Sequence, residues 1–442
     1  MKLRYNYRLY PTKSQKALLQ NHFFTSNQAF NIAINLNLNQ YNVNLNRKSS
    51  NLDPIYLSSN DLDSLIKLIL KNRNLQFNTK VIQQSRKNFE DSLSRYFKSF
   101  NSNNIFGKLK FKRSDNNSGT LETTAEQYKI IDYINKNGVV SKKWKILRLF
   151  NQSFKIRWSR DLPSSPKTLT IKLHNNRYFV SFVVEKVKSF RKSKYHKRFI
   201  ETSGDIKKLD KSEFKKLKSA GLDINLLSID LGNKKFHKKF STKSSKKSIQ
   251  KILKKRKLLD RKQSKRVLKA LAKSKKEKSK FELPKNFHKT QNKINRLNDK
   301  ISNKRDFNLH QLINELIIFL KDKKINHLVV EDLDIKSMTS KENINRFLGK
   351  SKTKSMRKNI LDISFGKMIN IIRYKCAMNH IYLSSVDPKN TSKMCSNRNC
   401  NSFNDNLNLS DRIFRCPNCN LNIDRDYNSA LNIEQKGMIQ PG

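Results

Sequence analysis

Nowhere does the sequence carry an apolar run approaching the roughly 18–20 residues that cross a bilayer, so a membrane-spanning protein is not expected. Its opening residues, MKLRYNYRLYPTK, lack the apolar core of an export signal, so secretion is not expected either. The expected location is the cytoplasm or nucleoid of a bacterium, or the nucleus or an organelle in a eukaryotic or viral setting. Acids are scarce: 35 Asp and Glu face 94 Lys and Arg, a formal charge of +59. A compact chain with that surplus repels itself, so a polyanion is the expected partner, nucleic acid first and an anionic membrane surface second. Glycine and alanine are also scarce beside Lys, Asn and Ser, a bias that AT-rich coding produces as well. Cysteine numbers only five, and four of these fall between 395 and 419. In a reducing compartment such clustered thiols point to a metal rather than to disulfides. Cys376, alone within IIRYKCAMNH, reads as a packed thiol.

What is present divides along the chain, whose 442 residues suffice for two or three domains. LRYNYRLY alternates like a short strand, Pro11 ends it, and a helix capped by Thr12 follows. NDLDSLIKLILKN and VIQQSRKNFEDSLSRYFKSF read as further helices. SFKIRWSRDLP and TLTIKLHNNRYFVSFVVEKV alternate at period two, with HNNR suited to a hairpin turn. LLSIDLG and KINHLVVEDL are apolar strands that end in acids, and HIYLSSVD is another strand. Between the first two, 22 Lys or Arg fall among the 47 residues from Lys234 to Lys280, with apolar residues at helical spacing. That pattern predicts a basic amphipathic helix, with Lys254, Lys255, Arg256 and Lys257 as candidate nucleic-acid contacts. A second long helix is expected over about 286–321, and DYNSALNIEQ ends the chain as a helix.

Two constellations carry chemistry. Cys395 and Cys400, then Cys416 and Cys419, have the spacing of two knuckles closing one tetrahedral Zn²⁺ site, structural because no coordination position stays open. Asp230 ends one apolar strand, Glu331 ends a second, and Asp426 begins the last helix. Acids at the ends of buried strands are costly unless paired or bound to a cation. Three such oxygen donors suit Mg²⁺ or Mn²⁺, and two such ions can drive phosphodiester hydrolysis.

The order of these motifs resembles the TnpB family, RNA-guided nucleases of bacterial insertion sequences related to type V CRISPR effectors and Fanzor proteins. The resemblance runs through LRYNYRLYPTKSQKALL, VIQQSRKNFEDSLSRYF, PKTLTIKLHNNRYFVSFVVE, SIDLGNKKF, KTQNKINRLNDKISNKRDFNLH, LVVEDLDIKSM, DPKNTSKMCS and CPNCNLNIDRDYNSALNI. It implies a multidomain α/β protein with a RuvC-like, ribonuclease-H-like nuclease domain, a zinc ribbon, and a β-barrel wedge domain carrying an inserted helical recognition module. The implied spans are 1–11 and 140–186 for the wedge, 12–139 for the helical module and 187–222 for a basic linker. The nuclease domain would take 223–390 and 421–442, and the ribbon 391–420. The resemblance makes Asp230, Glu331 and Asp426 the catalytic, metal-holding acids, with Asp424 as the alternative to Asp426. It implies a guide RNA and a target DNA as partners, and cutting of DNA for a transposable element. The alternatives are a nucleic-acid-binding regulator without nuclease activity and a transposase acting at element ends. Two departures from the family pattern stand out: the four-residue gap between Cys395 and Cys400, and the strongly basic, weakly strand-like HKKFSTKSSKK after SIDLG.

Overall fold

A computed structural model describes residues 2–100, 109–113, 118–185, 194–225, 228–241, 246–277, 280–334, 365–408 and 411–439. Leu226 and Leu227 of LLSIDLG, residues 187–193 of the expected linker and residues 335–338 of LVVEDLDIKSM lie outside that set. The chain forms two compact units, 1–189 and 190–442.

In the first unit, β1 (Lys2–Tyr10) leads into α1 (Lys13–Ser49), where Thr12 and Gln15 form a reciprocal capping box. Helices α2 (Ser59–Asn72), capped by Ser58, and α3 (Thr79–Ser99), capped by Asn78, follow. Ile66, Leu70, Ile82 and Phe89 pack against Ala29, Phe30 and Ala33 of α1. Strands β2 (Ser118–Thr124), β3 (Tyr128–Ile134), β4 (Val140–Leu149), β5 (Gln152–Arg157), β6 (Thr168–His174) and β7 (Arg177–Glu185) complete an antiparallel sheet in the order β2-β6-β7-β1-β5-β4-β3. Residues 118–124 and 128–134, grouped with the helices on sequence, are therefore strands, joined by a short 3-10 turn. The short polar run SGTLETT offers only Leu121 as a large apolar residue, which hides its alternation.

The sheet is strongly curled. Tyr128 on β3 and Phe182 on β7 stand four strand positions apart, about 19 Å in a flat sheet, yet their rings lie 5.8 Å apart. Two tight hairpins support this shape, at Phe150-Asn151 and Asn175-Asn176, all four residues with positive φ as the right-handed strand twist requires.

In the second unit, α4 (Lys194–Glu201) and α5 (Lys211–Lys215) precede β8 (Ser219–Ile224). The span 187–222, read as a linker, thus holds two short helices and most of a fully buried strand. Its many lysines conceal the apolar contacts of Phe199, Ile206, Leu209 and Phe214. Strands β9 (Ser228–Asn233) and β10 (Phe236–Ser241) run antiparallel to their neighbours, and β10 forms despite its lysines. The long helices α6 (Lys246–Lys276) and α7 (Phe287–Asp322) follow, joined by Gln263–Gln291 and Arg266–Thr290 hydrogen bonds. Then come β11 (His327–Glu331), α8 (Phe365–Met378) and β12 (Tyr382–Val386), both strands parallel to β8. The sheet order is β10-β9-β8-β11-β12, so β8 is central. A small hairpin, β13 (Ile413–Arg415) with β14 (Asn422–Asp424), precedes the last helix, α9 (Arg425–Gly437).

The two faces of this sheet differ. Leu222, Leu231, Leu328 and Val330 meet Ile313, Leu316 and Ile372 from α7 and α8, each such side chain contributing roughly 1.5–3 kcal/mol on burial. The opposite face receives α9. Gly221 and Gly232 are cross-strand partners, and a Cβ on Gly221 would lie 2.0 Å from the Ala430 carbonyl oxygen. One on Gly232 would lie 2.9 Å from the Tyr427 ring. These two glycines form the flat seat on which α9 rests.

Candidate functional site

Strand register alone assembles most of the acidic cluster. The β8–β9 pairing sets Asp223 opposite Asp230, and the β9–β10 pairing sets Lys239 opposite Asp230. The parallel β8–β11 register pairs Leu222 with Val330, so Asp223 and Glu331 follow side by side at the strand ends. Asp426, in the first turn of α9, joins them: the Lys239 ammonium is 2.9 Å from Asp426 Oδ2 and 3.3 Å from Asp230 Oδ1. Asp230 is 0% exposed, Asp426 5% and Asp223 7%. The three acids read from the sequence thus lie at one end of one sheet, and a fourth, Asp223, lies between two of them on the central strand.

Asp223 is not distinguished from Asp230 by sequence, because AGLDIN and LSIDLG present the same small-apolar-Asp-apolar pattern seven residues apart. Only the strand order distinguishes them: β8 touches the Glu331 strand, whereas β9 does not. Burial, followed by the charges of Glu331, Asp426 and Asp230, pushes the Asp223 carboxyl up to about 8. Burial also raises Glu331, against the opposing effect of the Thr391 hydroxyl, which donates to Glu331 Oε1 at 2.6 Å. For Asp426 burial acts upward, but Lys239 and Arg425 outweigh it and hold the carboxyl below its usual range. The rival Asp424 is the N-cap of α9, its Oδ1 accepting from the backbone N–H of Asp426 and of Tyr427. His237 flanks the cluster, its Nε2 3.0 Å from Asp230 Oδ1 and its ring stacked 4.5 Å from Tyr427.

All four carboxylates offer hard oxygen donors, which suit Mg²⁺ or Mn²⁺, and the crowding that raises Asp223 is what a divalent cation relieves. Lys239 links two of them, Asp230 and Asp426, while Glu331 accepts from Thr391 and Asp223 from Asn225. Among the described residues, the group of at least three potential ligands with all donor atoms within 4.8 Å of one another is Cys395, Cys400, Cys416 and Cys419.

The cysteine cluster fits zinc closely. Its Sγ–Sγ distances include 3.6 Å for Cys395–Cys419 and 3.5 Å for Cys400–Cys416, near the ~3.8 Å edge of a tetrahedron with Zn–S bonds of about 2.3 Å. Burial opposes ionisation of Cys416, yet the Cys419 and Asn418 N–H groups and the Ser402 hydroxyl bring its thiol down to about 6. Each knuckle is followed by an asparagine with positive φ, Asn401 at 49° and Asn420 at 55°. Helix α9 grips this ribbon through side-chain amides: Asn428 Nδ2 donates to the Met394 carbonyl at 2.7 Å, and Asn432 Nδ2 to the Thr391 and Met394 carbonyls at 2.8 and 2.7 Å. Thr391 therefore connects the ribbon's first segment to Glu331.

Of the basic candidates on α6, Lys254, Lys255 and Lys257 are exposed, while Arg256 ties to Asp260 at 3.0 Å. The first unit carries a further cationic surface. Along one row of its sheet's outer face stand Lys172, Phe179, Arg8, Arg157 and Trp144. Arg8 lies 4.9 Å from the Phe179 ring centroid, Arg157 5.0 Å from that of Trp144, and Lys155 4.6 Å from the same ring. Such alternation of cations and aromatic faces becomes visible only once the strands are paired.

No helix among the described residues is long and apolar enough to cross a membrane. No curated protein matches the chain. Among solved structures, similarity is found to a Cas12f1-sgRNA-target DNA complex, at 16% identity and TM-score 0.35, over 99% of this chain and 100% of that one. The mini-RNA-guided endonuclease CRISPR-Cas_phi3 is similar at 10% identity and TM-score 0.44, over 100% and 93%. CasPhi-2 (Cas12j) bound to crRNA and phosphorothioate-DNA is similar at 11% identity and TM-score 0.41, over 100% and 92%. Residues 365–433 match the family model of the Cas12f1-like TNB domain, which spans α8, the cysteine ribbon and most of α9. Residues 1–45 match the helix-turn-helix domain of the OrfB type, a segment that here is β1 and the continuous helix α1. With one model matched at each end, these matches support a protein of the TnpB/OrfB type.

Proposed function

We propose that this protein is an RNA-guided DNA endonuclease whose second unit is a RuvC-like, ribonuclease-H-like nuclease domain with an embedded zinc ribbon. The observation that carries the reading is the pair Asp223 and Glu331 at the ends of adjacent parallel strands, with Asp426 delivered onto them by a helix on the same face. We assign Asp223, Glu331 and Asp426 as the metal-holding catalytic acids. Asp230, the first acid suggested by sequence, is placed beside them as an anchor for Lys239 and His237.

Bound at these carboxylates, Mg²⁺ or Mn²⁺ supplies an activated water and a counter-charge for the departing oxygen of a phosphodiester. The chain's own residues fix the geometry. Thr391 holds one oxygen of Glu331, Asp424 fixes the first turn of α9, and the glycine seat sets how near Asp426 approaches. Zn²⁺ at the four cysteines would hold the ribbon that carries Thr391. In the first unit, we assign the curled sheet as a wedge domain and the three inserted helices as a recognition module. The outer row of Arg8, Arg157, Phe179 and Trp144 suits nucleic acid, since guanidinium groups meet phosphates and aromatic faces stack on bases. A lysine-dominated surface gives phosphate affinity with little base discrimination, which fits delegation of sequence reading to guide pairing.

The test is to sequence the RNA that co-purifies with the protein and challenge the complex with DNA matching any variable RNA end. Mg²⁺-dependent cutting that is lost in Asp223→Ala and merely reduced in Asp230→Ala is the expected result. Loss in Asp230→Ala with retention in Asp223→Ala would reverse the assignment of the first acid. A well-folded complex that binds but never cuts would favour a regulator, and joining of DNA ends without RNA would favour a transposase.

A further inference from the structure

Lys239 is the feature of the acidic cluster that metal-dependent hydrolysis does not explain. Its position is set by register, directly across from Asp230 on the edge strand, and its side chain is 46% exposed. The ammonium bridges Asp230 and Asp426, and the same two carboxylates hold it in the charged form against its partial burial. Asp230 is fully buried, with His237 and Ser228 as its other side-chain partners, so it offers Lys239 a rigid anchor. Asp426 Oδ1 meets Arg425 at 3.3 Å.

The cations ion-paired to the acids set a charge balance. Four carboxylates bring four negative charges when ionised, and Lys239 and Arg425 return two. One divalent cation neutralises the remainder. A second would face the ammonium beside the carboxylate it needs, Asp426. We propose that Lys239 is a resident counter-cation of the acidic site, which limits the free protein to one tightly held divalent ion and yields Asp426 to a second only when a phosphodiester draws the ammonium away. Half-exposure and a flexible four-carbon stem allow that exchange, because the lysine head can turn to an incoming phosphate without moving the strand. This inference rests on the acids holding divalent metal, as proposed above.

The experiment is a Mn²⁺ titration of the full-length, zinc-loaded protein at low ionic strength, following free Mn²⁺ by electron paramagnetic resonance. Four proteins are compared: wild type, Lys239→Met, Lys239→Arg, and a D223N/E331Q blank. Wild type is expected to hold one Mn²⁺ more than the blank. Lys239→Met should hold that ion on the order of tenfold more tightly, since a unit charge a few ångströms from a dication is removed even where screening is water-like, and should show a second, weaker ion. Lys239→Arg keeps the charge and should stay at one. Adding a short phosphorothioate oligonucleotide to wild type should raise the count from one to two.

Equal counts and affinities in wild type and Lys239→Met would overturn the proposal, as would weaker binding in Lys239→Met, which would make the lysine a scaffold instead. If wild type and the D223N/E331Q blank bind Mn²⁺ alike, the metal-site reading itself fails and this inference falls with it. Circular dichroism and melting of each variant check that the fold is retained, and the exposed position of Lys239 makes loss of folding in its variants an unexpected result.

Discussion

Alanine at Gly221 perturbs the acidic site without touching any acid. The added Cβ would sit 2.0 Å from the Ala430 carbonyl oxygen and 2.6 Å from the Glu434 amide nitrogen, both backbone atoms of α9. Ordinary contact for such atoms begins at about 3.4 Å, so the helix must lift by more than an ångström or the central strand must bow. Neither has slack: β8 is hydrogen-bonded on both edges, and Gly437 at the far end of α9 already lies where a Cβ would be 2.4 Å from Val329. Overpacking of this kind costs about 1–3 kcal/mol or more. In a unit of this size that corresponds to a fall in Tm of roughly 2–4 °C per kcal/mol, so a drop of about 2–12 °C is expected. The functional effect should exceed the stability effect, since displacement of reacting groups by about 1 Å costs on the order of a hundredfold in rate. The assay is a calorimetric melt beside guided cleavage at 15 °C, well below the melt, where the variant is folded. Gly138→Ala is the control: it has φ +74° with nothing near its Cβ, so strain of about 1 kcal/mol and unchanged cutting are expected. A Gly221→Ala protein with native Tm and native cleavage would refute the idea that the glycine seat sets the position of Asp426.

Two other outcomes follow from the geometry. Cys416→Ser removes the ligand whose thiolate is best supported by backbone N–H groups, so zinc content measured by a colorimetric chelator should fall from about one equivalent toward zero, and the ribbon should become protease-sensitive; full zinc retention would contradict a four-thiolate site. In metal-free protein, the raised Asp223 carboxyl binds its proton more tightly folded than unfolded, so stability should decline as pH rises from about 4 to about 8. Denaturant melts across that window should show a loss on the order of a few kcal/mol that Asp223→Asn flattens; a slope unchanged in the variant would place the proton elsewhere.

The cysteine ribbon was the most legible part of the sequence, because four thiols at knuckle spacing leave little freedom in how they meet. Apolar strands ending in acids were also legible, and they located the end of the sheet where the acids gather. What local pattern could not reveal was adjacency. Asp223 and Asp230 occupy equivalent positions in similar short motifs, and only the pairing of β8 with β11 gives Asp223 the Glu331 neighbour. Strand β10 was obscured because its lysines read as a solvated run, although Lys239 is held in the strand by the very acids it faces. The helices and strand within 187–222 were hidden in the same way, their few apolar residues scattered among charges. Thr391 lies within DPKNTSKMCS, but its role was not legible there, since it depends on α9 holding the ribbon's first segment against Glu331.

Helix α9 also orders events during synthesis. It brings Asp426 to acids that leave the ribosome long before it, Asp223 being 203 residues earlier in the chain, and it supplies the amides that hold the ribbon. A nascent chain therefore displays Asp223, Asp230 and Glu331 on an uncovered sheet face, with no Asp426 among them and with the seat of Gly221 and Gly232 empty. Under the proposed function, the acidic site is therefore complete only once α9 has been made, after the basic helices α6 and α7.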